Sequence, residues 1–129
     1  VSRGLGDVYK RQDKINENFI RCSFFELVSR YLSMCYTFAI EQNNSEGRAD
    51  FEMTGIPGTD YYTDDRLVEF KYFKAKDAEK VLASDSPLAE HVEQVHRYAK
   101  DTLRRFPNYH VRTYVVYICA NRGWKCWEV

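Results

Sequence analysis

The chain has no apolar run of about 18 residues, so no membrane-spanning helix is expected. Val1 to Gln12 is polar and has no apolar centre, so it does not read as a secretory signal. Cys22, Cys35, Cys119 and Cys126 form no C-x-x-C pair and have no histidine at zinc-finger spacing. Reduced thiols in a cytoplasmic protein are the expectation, with Cys22 and Cys35 packed as small apolar residues. Nor is there a charge excess: 19 Lys and Arg balance 19 Asp and Glu. A nucleic-acid-binding chain normally carries a basic footprint, so any such groove here must be local. No internal repeat or low-complexity segment interrupts the chain.

What is present is globular. Hydrophobic content of 44% and aromatic content of 16% exclude a disordered chain. The 129 residues suffice for one domain with a core, not for two. The segment Ser2 to Gln12 reads as one frame of a transposase-type sequencing-library adapter. The native sequence is then expected to begin near Asp13, with an upstream part missing, and residues 1–12 stand apart from the domain at 13–129. Arg3, Lys10 and Arg11 against Asp7 give that segment two net positive charges, which leaves the remainder two negative.

Asn16 to Met34 carries Phe19, Ile20, Phe24, Leu27, Val28, Tyr31 and Leu32 at helical spacing, unbroken by Pro or Gly. Strands are predicted over Tyr36–Glu41, Arg48–Thr54 and Arg66–Tyr72, the last two joined by a long Gly55–Asp65 connection that has room for a little extra strand. A short helix over Ala75–Ala83 and a longer one over Leu88–Arg105 follow, the second announced by Ser86-Pro87. Val92, Val95, Ala99, Thr102 and Leu103 form its packing stripe. A strand over His110–Ala120, a hairpin signal at Asn121-Arg122-Gly123 and a last strand over Trp124–Val129 close the chain. This order indicates an α/β fold with a mixed sheet flanked by helices.

The chemistry concentrates at two places. Asp50 stands in Gly47-Arg48-Ala49-Asp50, and Glu69 and Lys71 stand in Leu67-Val68-Glu69-Phe70-Lys71. Alternation along a strand puts Glu69 and Lys71 on one face, roughly 6–7 Å apart. Asp50 meets Glu69 if the two strands pair, because opposed residues lie about 5 Å apart. Two carboxylates with a backbone carbonyl make the incomplete oxygen shell that Mg²⁺ accepts, and an ammonium beside them can orient water or steady a phosphate. The same spacing also fits an exposed cross-strand ion pair, and alternation alone leaves both readings open.

These motifs resemble the PD-(D/E)XK nuclease superfamily. More narrowly, G-R-x-D, a second strand and E-F-K are similar to the nuclease-like domain at the C-terminus of bacterial AAA-ATPase-like proteins. Asn16-Glu17-x-Phe19 resembles that group's N-E-x-F/Y element. Gln94-Val95-His96-Arg97-Tyr98 resembles the Q-x-x-x-Y helix motif of RecB-type members. The resemblance covers most of residues 13–129. It implies a restriction-endonuclease-like α-β-β-β-α-β core and phosphodiester hydrolysis with Mg²⁺ or Mn²⁺. It implies Asp50 and Glu69 as metal ligands, Phe70 lending its carbonyl, Lys71 as catalytic cation and Glu17 as auxiliary carboxylate. Gln94 would touch the site, Tyr98 and Arg97 would meet the nucleic acid, DNA rather than RNA, and an ATPase domain would lie upstream. An inactive nuclease-fold module that binds nucleic acid or docks to an ATPase is the alternative. Ala49 replaces the superfamily's proline before the Asp, as is usual in this branch. The Gly55–Asp65 connection exceeds the branch's usual turn, so the register of Asp50 against Glu69 depends on how it closes.

Other polar residues are assigned plainer roles. Glu52 shares a face with Asp50 and is a rival ligand by position, but a solvated place is expected for it, as for Asp60, Asp64 and Asp65 in the loop. His91, His96 and His110 show no ligand spacing and are expected at the surface or half-buried. Lys74, Lys76, Lys80, Arg97, Lys100, Arg104 and Arg105 either line a backbone-binding groove or simply solvate helices. Trp124, Trp127, Tyr114 and Tyr117 are expected in the sheet core and its rim.

Overall fold

The computed structural model describes residues 22–23, 26, 35–40 and 50–129. Its strands are β1 (Tyr36–Ile40), β2 (Phe51–Gly55), β3 (Asp64–Phe73), β4 (His110–Cys119) and β5 (Gly123–Glu128). A 3₁₀ turn at Ala75–Asp77 leads into helix α1 (Ala78–Leu82), and helix α2 spans Ala89–Arg105. The five strands form one sheet in chain order. Three pairs are antiparallel, whereas β3 and β4 run parallel with both helices in the crossover. The fold is therefore the expected mixed, restriction-endonuclease-like α/β sheet. Of the helix expected over Asn16–Met34, only Cys22, Ser23 and Glu26 are described, and these are helical. No helix among the described residues is long and apolar enough to cross a membrane.

Central position makes β3 apolar on both faces. Leu67 packs beneath α2 with Val95, Tyr98, Val115 and Tyr117. Val68 and Phe70 face the other way, against Tyr36, Phe51 and Met53. Glu69 and Lys71 share the face of Leu67, so the sheet delivers them to the α2 side.

Phe51 pairs with Val68 and Thr54 with Asp65. One more step in that register sets Asp50 opposite Glu69, so the long connection does close as the site requires. Between Gly55 and Asp64 it holds turns and no separate strand, its two ends being taken into β2 and β3. The Asp64 amide donates to the Tyr61 carbonyl at 2.9 Å, and the chain folds back so tightly that a Cβ on Gly55 would lie 1.5 Å from the Tyr61 oxygen. Only glycine fits there.

Several element boundaries differ from expectation, among them the starts of β3 and α2. β3 begins at Asp64 and not at Arg66, because the ladder with β4 continues through Asp64–His110 and Asp65–Val111. Helix α2 begins at Ala89, and its cap residue Leu88 is extended with no side-chain capping bond. Its first-turn Glu90 and last-turn Arg104 and Arg105 match the helix dipole.

Candidate active site

Asp50 is buried just ahead of β2 and turns its carboxylate toward β3, where the Phe70 N–H donates to Oδ2 at 2.9 Å. The β2 ladder stops at Phe51–Val68. Asp50 thus satisfies an amide that β2 is too short to pair, as burial demands. The bond fixes one oxygen of the carboxylate beside Glu69.

Glu69 is only 2% exposed. Its Oε1 lies 3.5 Å from Lys71 Nζ, and its Oε2 is buried with no hydrogen-bond partner among the described residues. Burial, and then the charge of Asp50, push its pKa up from 4.5 to about 8, while Lys71 pulls the other way. A buried carboxylate oxygen facing a second carboxylate is costly unless a cation or a proton joins them. These oxygens therefore fit a hard divalent ion, which prefers oxygen donors and retains waters. No cluster of three His, Cys, Asp or Glu side chains able to hold a metal occurs among the described residues.

Asp50, Glu69 and Lys71 are thus brought together by the pairing of β2 with β3. Glu17, Arg48 and Ala49 lie outside the described residues. Gln94 donates its amide to the Tyr98 hydroxyl at 3.0 Å, one turn along α2. Tyr98 itself is buried in the core, so it holds Gln94 from beneath and does not stand on the open surface. Arg97 is exposed and borders a small hollow with Lys100, Asp101 and Arg104. Arg104 and Arg105 both pair with Asp101, so part of this basic surface is internally neutralised. Phe70 contributes its N–H as described.

The loop carboxylates need correcting. Asp65 is 1% exposed, not solvated, because the longer β3 carries it under the helix layer. Burial and then the charge of Glu52 raise its pKa from 3.8 to about 7, against a hydrogen bond from Thr54 and the charge of Arg105. Glu52 is accordingly half-buried against Asp65, and Asp64 accepts from the Tyr36 hydroxyl at 3.2 Å. Asp60 is exposed as expected.

One group close to Lys71 was not singled out by spacing. His91 Nδ1 lies 2.5 Å from the Tyr117 hydroxyl, and the charge of Lys71 acts on both rings. Its signal in sequence is its place three residues before Gln94, on the same helix face.

The family model described as the PD-(D/E)XK nuclease superfamily matches residues 15–128. No curated protein and no solved structure matches the chain.

Proposed function

The chain belongs to the PD-(D/E)XK nuclease superfamily, and from that premise we propose that it hydrolyses phosphodiester bonds of DNA with Mg²⁺ or Mn²⁺. The observation that carries this reading is the unsatisfied Oε2 of Glu69, buried beside Asp50 and flanked by Lys71. Such an arrangement calls for a proton or a cation to complete it, and perturbed buried carboxylates of this kind cluster at functional sites.

In this reading Asp50 and Glu69 hold the ion, with the Phe70 carbonyl as third protein oxygen by family resemblance. When bound, the ion supplies Lewis acidity and a water of lowered pKa. Asp50 keeps its orientation through the Phe70 N–H. Lys71, held by Glu69 yet 29% exposed along its side chain, reaches the open edge and donates to a phosphate oxygen or the attacking water. Gln94, steadied by Tyr98, tunes the site from α2, and Arg97 meets the backbone on its outer side. Glu17 retains its assignment as auxiliary carboxylate by resemblance. The free thiols of Cys22, Cys35, Cys119 and Cys126 accord with work in the cytoplasm. By resemblance again, an ATPase domain is the expected upstream neighbour.

The test is cleavage of labelled DNA and RNA by the purified chain with Mg²⁺, Mn²⁺ or chelator, beside Asp50→Ala, Glu69→Ala and Lys71→Ala. Each variant is expected to lose about 100-fold or more in rate. Equal cleavage by all four proteins removes the assignment. Nucleic acid bound without any heat of metal binding points instead to an inactive binding module.

A further inference from the structure

Lys71 has a neighbour on the helix side that the reaction as described does not use. Tyr117 is paired in parallel register with Lys71, and its ring is buried under α2. Its hydroxyl accepts the Leu88 N–H at 2.8 Å and lies 2.5 Å from His91 Nδ1. A phenol has one proton to give. With Leu88 donating to the oxygen, the arrangement taken up in the proposal has that proton going to His91 Nδ1 and the imidazole carrying its own hydrogen on Nε2.

The groups facing this ring are Lys71 from β3, Tyr117 from β4, and Leu88 and Glu90 from α2 and its cap. Burial and the charge of Lys71 keep the imidazole below its ordinary pKa, with Glu90 opposing. It is therefore a neutral donor at neutral pH. The His91 side chain is 13% exposed, and Nε2 is 3.7 Å from Glu90 Oε1, beyond hydrogen-bonding distance. Glu90 is 76% exposed, and in the proposal below its carboxylate gives place to the ligand.

We propose that His91 is a further substrate-contacting residue, its Nε2–H donating to a phosphodiester oxygen of nucleic acid on the Lys71 side of the Asp50–Glu69 pair. A phosphate oxygen is the acceptor that a lone N–H beside an ammonium suits, and a neutral ring avoids setting a second cation against Lys71. Tyr117 acts through His91 as a positioning residue by fixing the tautomer. The inference rests on the nuclease reading for the class of ligand alone.

The test compares the wild-type chain with His91→Ala, His91→Gln and Tyr117→Phe. Affinity for a fluorescein-labelled DNA duplex in Ca²⁺ is measured by anisotropy, cleavage in Mg²⁺ by steady-state kinetics, and the tautomer by long-range ¹⁵N–¹H correlation. His91→Ala is expected to weaken Kd and raise KM about tenfold, with the loss in KM and not in kcat. Gln, whose amide reaches the Nε2 position, should restore both to within about threefold. The spectrum of the wild type should show the Nε2–H form, and Tyr117→Phe should lose that preference. A duplex bound equally by wild type and His91→Ala, an Nδ1–H tautomer, or no binding by the wild type overturns the proposal. Binding that weakens in His91→Ala while the wild type cleaves nothing leaves this contact standing and overturns the hydrolytic reading instead.

Discussion

The Phe70 N–H and Asp50 Oδ2, 2.9 Å apart, tie the segment before β2 to the strand that carries Glu69 and Lys71. Orientation and charge of Asp50 are therefore separable. Asp50→Asn keeps a carbonyl oxygen for the Phe70 amide and is expected to melt at or above the wild-type temperature. Asp50→Ala leaves that amide buried and unpaired, at a cost of about 1–3 kcal/mol. Both should lose cleavage by about 100-fold or more. Thermal melting read beside cleavage checks the split, and equal melting of the two variants contradicts it.

Glu69, protonated below about pH 8 when no cation is present, must lose that proton to bind one. Mn²⁺ affinity should fall about tenfold per pH unit below that value. Titration calorimetry in buffers of different ionisation enthalpy should report about one proton released. A pH-independent affinity disposes of the linkage. Stability follows the same group. A carboxyl raised from 4.5 to about 8 contributes stability that is present below the lower value and lost as pH rises through the upper. Metal-free Glu69→Gln should therefore exceed the wild type by about 1–3 kcal/mol near pH 9 and match it near pH 4.

Asp65 obeys the same sign in a lower window, from 3.8 to about 7. Asp65→Asn is expected to melt several degrees above the wild type at about pH 8 and to converge with it in acid. Chemical denaturation across pH provides the check. A constant difference between the two proteins shows that Glu52 and burial do not act on Asp65 as described.

Gly55→Ala should destabilise the fold by about 3 kcal/mol or more, since its Cβ would enter the Tyr61 carbonyl. The alanine variant must open the turn that sets Thr54 against Asp65, and with it the register of Asp50. Cleavage should drop further than lost folded protein explains. Unchanged melting would show that the turn yields freely.

Periodicity made β3, α2 and β4 legible, because Val68, Phe70, Val95 and Val115 are spaced as packed faces demand. The proximity of Asp50, Glu69 and Lys71 was suggested by the motif and not by spacing alone: Glu69 is buried beyond what an E-x-K pattern tells, and Asp50 reaches it only through the β2–β3 register. Asp64-Asp65 reads as loop because two acids seldom enter a sheet; parallel pairing with His110 and Val111 overrides that preference. The His91–Tyr117 bond was invisible for a related reason. It joins residues 26 apart through a crossover whose pairing no local pattern encodes.

That crossover also sets an order of events during folding. β3 gains its β4 partner only after the whole 74–109 segment has looped back, since β3 and β4 run parallel. Loop closure of that length precedes any reward from the contacts, which slows formation of the central ladder. Asp50, Glu69 and Lys71 all precede that crossover, on or beside β2 and β3, whereas His91 lies within it. The two carboxylates and the ammonium can thus gather while the chain is still partly folded, whereas the helical cover that buries them, His91 included, arrives only with the completed sheet.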